Sequence, residues 1–203
     1  TGRADKSQYF KIRGVNIGLA KRLQIPDDYF TLSQAIGYQY YDLNNYYTGL
    51  FTFGDGVSNN LYYTVALSRN NTYTNPIFPL GGSQFSLSAK FSFPYSLVNN
   101  VDYANLENNT SYQNSDGTPD YAKIDQEKFK WLEYYKLKFS GSWYTNLIDK
   151  LVLKTHAEFG YLGTFNSDRG VIPFERFYLG GDGLSQYALD GRETIAMRGY
   201  ENQ

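Results

Sequence analysis

Residues 84–93 read Gln-Phe-Ser-Leu-Ser-Ala-Lys-Phe-Ser-Phe, and no other feature of the chain restricts its folding choices so tightly. Successive side chains of an extended chain point to opposite faces. Phe85, Leu87, Ala89, Phe91 and Phe93 therefore share one face, and Gln84, Ser86, Ser88, Lys90 and Ser92 the other. Residues 29–43 set Phe30, Leu32, Ile36, Tyr38 and Tyr40 against Thr31, Ser33, Ala35, Gly37 and Gln39, with Gln34 a polar exception on the apolar side. Residues 61–70 set Leu61, Tyr63, Val65 and Leu67 against Tyr62, Thr64, Ala66 and Ser68. Residues 132–144 set Tyr135, Leu137, Phe139 and Trp143 against Lys136, Lys138, Ser140 and Ser142. Residues 151–162 set Leu151, Leu153, Phe159 and Tyr161 against Lys154, His156, Glu158 and Gly160. Alternation by itself admits two all-β architectures: a soluble sandwich whose apolar face meets a second sheet, and a membrane barrel whose apolar face meets lipid.

The polar faces favour the second. They are rich in charged and small residues, and an unpaired lysine or glutamate is costly in a packed interior, so a watery lumen suits them better than a dry core. Residues 10–23 fit least well, because Val15, Ile17 and Leu19 share a face with Lys11, Arg13 and Lys21. Either a bulge shifts the register or the cations sit at the membrane edges. The edges are favoured, since a cation there costs about 0 to 1 kcal/mol. The links alternate as a barrel requires, short at 24–28 and 148–150, intermediate at 70–83, long and polar at 44–60 and 99–130.

Composition agrees where it bears on the choice. The 21 tyrosines, 14 phenylalanines and 19 glycines suit strands with aromatic girdles, and no run approaches the roughly 18 apolar residues of a membrane helix. A mean hydropathy of -0.52 is no obstacle when half of every strand faces a polar lumen. The absence of cysteine removes disulfides and thiolate metal sites, and a single histidine, His156, limits metal chemistry further. A net charge of -1 gives no nucleic-acid footprint. Residues 1–6 lack the apolar core of a signal peptide.

Two motifs sharpen the reading. Ile172-Pro173-Phe174-Glu175-Arg176-Phe177-Tyr178-Leu179-Gly180-Gly181 is followed by Met197-Arg198-Gly199-Tyr200. The pair resembles the sixth extracellular loop of the BamA family of outer-membrane protein assembly factors, in which P-F-x-x-F-x-x-G-G precedes a hydrophobic-R-G-(F/Y) tetrad. The segment Asn75-Pro76-Ile77-Phe78-Pro79-Leu80-Gly81-Gly82-Ser83 is similar to that family's N-x-x-F-P-x-x-G-S turn on a periplasmic link, carried here by Phe78, Pro79, Gly82 and Ser83. The 15 residues between Gly181 and Met197 resemble the longer insert of the Bacteroidota variant.

The resemblance implies a transmembrane antiparallel β-barrel in the bacterial outer membrane. Residues 7–164 would be about strands six to eleven of a sixteen-strand barrel and 165–203 the first part of loop six. The remaining strands and the POTRA domains would belong to a longer polypeptide. It implies a non-enzymatic insertase, with no cofactor, that pairs client strands with a barrel edge, and its partners would be outer-membrane lipid, accessory subunits and unfolded outer-membrane clients. The loop-six residues would be Met197, Arg198, Gly199 and Tyr200, supported by Pro173, Phe174, Phe177, Gly180 and Gly181, with Arg198 meeting a carboxylate on the inner wall. A TamA-like factor or two-partner secretion translocator shares the tetrad and is the nearest rival, and a passive porin or transporter is more distant.

Three other features have bland readings. His156 with Glu158 lacks a further metal ligand and a substrate pocket. The Asn-x-Ser/Thr matches at Asn70, Asn108 and Asn109 are chance in polar loops. Asp190 to Glu193 reads as a solvated turn.

Overall fold

The computed structural model describes residues 8–46, 53–72, 79–149, 151–180, 193–195, 197 and 199. Six strands form one antiparallel meander in chain order: β1 (Tyr9–Arg22), β2 (Phe30–Asn44), β3 (Gly56–Asn70), β4 (Gly82–Ser92), β5 (Tyr135–Ile148) and β6 (Leu151–Gly163). Each runs 11 to 15 residues, whereas a tilted strand needs about 9 to 11 to cross the hydrocarbon of a bilayer. No described helix is long and apolar enough to cross a membrane. The antiparallel all-β reading of the sequence is the architecture found.

Register gives the sheet two chemically distinct faces. Leu87 lies between Leu67 and Phe139, and Ser88 between Ala66 and Lys138. Val15, Ile17, Leu19, Ile36, Leu87, Phe159 and Tyr161 all stand exposed on the outer face. The polar exception at Gln34 is answered across the sheet, because the Tyr63 hydroxyl donates to Gln34 Oε1 at 2.7 Å. Pairing of β1 with β2 runs continuously from Tyr9↔Asn44 to Arg22↔Thr31. A continuous register removes the bulge as an explanation of the first strand's cations. Lys11 and Arg13 lie toward one end and Lys21 toward the other, and the Lys11 ammonium covers the Tyr9 ring at 3.9 Å.

At the short-turn end one arginine laces three strands. Arg69, near the end of β3, meets Asp27 of the first turn at 2.7 Å and donates to Ser83 Oγ of β4 at 2.9 Å. Asn71 Oδ1 accepts from the Ser83 amide at 2.8 Å and from its hydroxyl at 3.2 Å, so the serine side chain links Arg69 to Asn71. Gly82 before it has φ +96°, and a Cβ there would press on the Asn71 and Thr72 backbone. Only glycine enters the strand this way without strain. Pro79 is half-buried beside this turn, and Phe78 lies outside the described residues.

The opposite end differs from the sequence expectation in its loops. Strand β3 starts at Gly56, so the first long link is shorter than 44–60. Residues 99–130, read as a polar link, contain two 3-10 turns, with a third, Tyr95–Leu97, just ahead of them, and a helix α1 (Tyr121–Phe129) capped by Asp120, whose side chain accepts from the Lys123 amide at 3.2 Å. Tyr103, Leu106 and Ile124 close a small core there, with Val101 and Tyr112 packed against it. These apolar residues are sparse and far apart in sequence, so no periodic signal announces them. Leu132 and Tyr134, expected in a strand, are instead fully buried just ahead of β5.

The two faces make a testable asymmetry. Leu87→Arg is expected to cost about 2 to 4 kcal/mol when that position meets mid-bilayer lipid, and Ser88→Arg far less in a hydrated lumen. Unfolding of the protein in lipid measures both, and equal tolerance at the two positions contradicts the assignment of faces.

Candidate functional site

After β6 the chain turns back over the inner face of the sheet, and residues 164–180 settle against its long-loop end. Apolar side chains supply the bulk of this contact. Ile172 and Phe174 join Tyr41, Leu43, Phe53, Phe129, Leu132 and Tyr134 in the main buried cluster. Phe174 packs on Tyr41 with ring centroids 4.5 Å apart. The tip of the Phe177 ring meets the wall at Gly160, where a Cβ would come within 2.7 Å of it. A side chain at position 160 would force the Phe177 ring to shift. The inner face is thus divided: its long-loop half is dry and packed, while Ser86, Ser88, Lys138, Ser140 and Glu158 line an open cavity of about 380 Å³ farther down.

Polar contacts fix the register of docking. Glu175 reaches Lys90 of β4 at 2.5 Å and Lys136 of β5 at 3.2 Å, and Lys136 also donates to the Glu175 carbonyl at 3.0 Å. The Tyr134 hydroxyl donates to Glu175 Oε1 at 3.1 Å and accepts from Asn60 Nδ2 at 3.1 Å. Asn60 Nδ2 also reaches Gln39 Oε1 at 3.3 Å, which takes a further bond from Tyr41 at 3.0 Å. One carboxylate thereby ties the loop to β4 and β5 directly and to β2 and β3 through Tyr134. The ammonium groups complete their surroundings on rings, Lys90 over Tyr62 at 4.3 Å and Lys136 over Phe177 at 4.5 Å.

A second anchor lies a few residues earlier. Arg169 is 3% exposed and Glu133 1%, and their side chains meet at 2.6 Å. Arg169 also donates to the carbonyls of Lys128 and Trp131 and stands over the Tyr103 ring at 4.8 Å. Glu133 uses its remaining capacity on Ser96, accepting from the amide at 2.8 Å and the hydroxyl at 2.7 Å. This pair fastens the start of the returning loop to the β4–β5 connection. Both charges are satisfied on nearly every side, the condition under which a buried pair is tolerated.

Burial alone would raise the Glu175 carboxyl, but Lys90 and then Lys136 outweigh it and hold the group below its ordinary 4.5. Burial pushes the Tyr134 phenol well above its usual range, reinforced by the Glu175 charge, so it remains a neutral donor. A depressed carboxyl contributes stability that is present above its unfolded value and lost as pH falls through the folded one. Docking is therefore complete above about pH 4.5 and weakens in the acid range below it.

The sequence-predicted residues fall into three groups. Pro173, Phe174 and Gly180 are buried and Phe177 is half-buried, all within the docked segment. Phe177–Leu179 forms β7, which pairs in parallel with β8 (Glu193–Ile195), and the Gly180 amide donates to the Ile195 carbonyl at 3.2 Å. Glu193, expected in a solvated turn, thus begins a strand. Met197 and Gly199 are exposed just beyond it, and Gly199 has φ +90°. Gly181, Arg198 and Tyr200 lie outside the described residues. On the open wall His156 contacts Ser142 at 2.8 Å and Glu158 at 3.2 Å, all facing the lumen. Among the described residues no group of three acidic, His or Cys side chains is placed to hold a metal.

Glu175, Lys90, Lys136, Arg169 and Glu133 were not singled out by sequence. A signal existed for part of the set, because lysines at inner-face positions 90 and 136 require a carboxylate wherever that face becomes dry. The identity of that carboxylate was not legible, since Glu175 occupies a variable position of the motif.

An antiparallel sheet with an apolar outer face, tight turns at one end, long loops at the other and one loop folded inward defines an outer-membrane β-barrel protein. Residues 2–203 match the Omp85 superfamily domain, and the chain belongs to that superfamily. Membership supports a role in β-barrel assembly or in translocation. No curated protein matches the chain.

Glu175→Gln is expected to weaken loop docking by about 2 to 3 kcal/mol, somewhat less than the roughly 3 to 5 for breaking a fully buried pair, because Lys90 keeps partial contact with water. Protease cleavage within 164–180, followed against pH, checks this. The wild-type loop should become easier to cleave as pH drops below about 4.5, and the Gln variant should be cleaved more readily at neutral pH with a weaker response to acid. A wild-type cleavage profile in the variant would remove Glu175 as the anchor.

Proposed function

We propose that this chain is wall and lid of a BamA-type insertase in the bacterial outer membrane, helping other β-barrel proteins to fold and insert. The observation that carries the reading is the inward docking of the Pro173–Phe177 segment through Glu175 on Lys90 and Lys136, upstream of Met197-Arg198-Gly199-Tyr200. A loop used only to cover a pore has no need of a charge-assisted tie to four neighbouring strands. A loop that braces the wall does, because templated strand addition loads the barrel laterally while client main-chain groups exchange water for strand partners. In this reading the outer face meets lipid, the short-turn end faces accessory subunits, and unfolded outer-membrane proteins are the clients.

Arg198 acts as a third tie, pairing with an inner-wall carboxylate by charge-assisted hydrogen bonds. Arg198→Ala is expected to weaken the brace by roughly 1 to 3 kcal/mol and to slow client insertion. Lys at the same position should rescue only partly, as it restores charge without the bidentate fork. The test combines loop protease sensitivity with the rate at which vesicles carrying the intact protein insert a denatured client barrel. Normal loop protection and normal insertion in Arg198→Ala would exclude the residue from the mechanism. Transport of a soluble passenger with no insertion activity would favour the translocator reading of the same superfamily.

A further inference from the structure

The turn Tyr95–Leu97, which follows β4, exposes two large aliphatic side chains at its tip: Leu97 is 78% exposed and Val98 62%. Residues 93–101 carry no charged side chain. The turn that presents them is held in place by its neighbours. Glu133, held by buried Arg169, takes both the amide and the hydroxyl of Ser96. Tyr95 packs on Trp131 at 4.6 Å and on Phe93 at 4.9 Å. The Val98 and Asn99 amides close the turn on the Tyr95 carbonyl at 3.0 and 3.1 Å. Folding the tip inward would break both Ser96 bonds to Glu133.

What covers it is indicated by its neighbours. The Phe93 amide donates to the Leu61 carbonyl at 3.3 Å, and Leu61 is the register partner of Tyr38. Tyr38, Leu61 and Phe93 thus form a row on the outer face, where the pairing of β3 with β4 ends, and the turn begins two residues after Phe93. Phe93 and Trp131, both exposed, are aromatic groups of the kind that settle at a membrane interface, Trp131 with a polar edge.

We propose that the Leu97–Val98 tip is a lipid-seated foot, resting in the outer-leaflet boundary between headgroups and acyl chains and fastening the β4–β5 connection to the membrane. It rests on the membrane-barrel reading above. A small hydrophobic tip joined to an existing lipid face adds to burial without new polar cost, and its rigid bracing means that little order has to be gained on insertion.

The chain contains no cysteine, so single cysteines can carry an environment-sensitive fluorophore without background. Three variants of the intact protein, Leu97→Cys, Leu87→Cys and Ser115→Cys, are labelled and reconstituted into vesicles of phosphatidylethanolamine and phosphatidylglycerol containing spin-labelled lipid. Position 87 lies mid-strand on the outer face and 115 is exposed in the loop. Position 97 is expected to show blue-shifted emission, quenched more by a shallow spin label than by one at the chain end. Position 87 should show the reverse order, and position 115 no quenching. Quenching at 87 with a water-like, unquenched signal at 97 overturns the foot and leaves the barrel reading standing. A blue-shifted but unquenched signal at 97 means that protein covers the tip, and also overturns it. Absence of quenching at 87 defeats the membrane reading itself.

Discussion

The strand ladder is the constraint from which the rest follows. Lipid offers no partner for a peptide N–H or C=O, so a chain on its way across hydrocarbon must satisfy its backbone sideways, strand against strand. Once β1 to β6 are in register, every side chain is committed to one of two faces, and slippage by a single residue would exchange them. That commitment makes Leu87 an outward residue and Lys90 an inward one. It also places Lys90 and Lys136 side by side as register partners across β4 and β5, a concentration of positive charge that needs an answer.

The answer comes from outside the sheet. Glu175 lies 85 residues from Lys90 in sequence and enters between the two lysines only because Ile172 and Phe174 bury themselves on the inner wall beside it. Apolar burial supplies the general attraction, and the ion pairs select one seating among several. Buried pairs often contribute little net stability relative to a well-packed apolar alternative. Their value here lies in geometry: Phe177 over Gly160 and Phe174 against Tyr41 are compatible with the Glu175 contacts in a single register of the loop.

The Arg169–Glu133 pair repeats this logic one level out. It joins the start of the returning loop to the β4–β5 connection, and through Ser96 it also stiffens the apolar turn beyond β4. Inner lid and outer loop are thus mechanically continuous. A disturbance of the lid at Arg169 would reach the outer margin of the sheet through two side chains.

How much of this was legible follows from the range of each interaction. The strands, their faces and the alternation of short and long links were readable because period-two patterning is local: residues 84–93 declare their two faces without reference to any other segment. The motif residues Pro173, Phe174 and Phe177 stood out by resemblance, and in the structure they lie in the segment that packs on the wall. The counterion of Lys90 and Lys136 was not, nor was the core of Tyr103, Leu106 and Ile124, nor the burial of Glu133 and Arg169. Each joins residues far apart in the chain, and a carboxylate or a lone apolar side chain in a polar loop has the same local appearance whether it is solvated or buried. The sequence by itself determined which side of the sheet each strand residue takes, since that depends only on backbone geometry. Only the tertiary structure decided which parts of the inner face are dry and which charges meet there, since dehydration depends on what the returning loop covers.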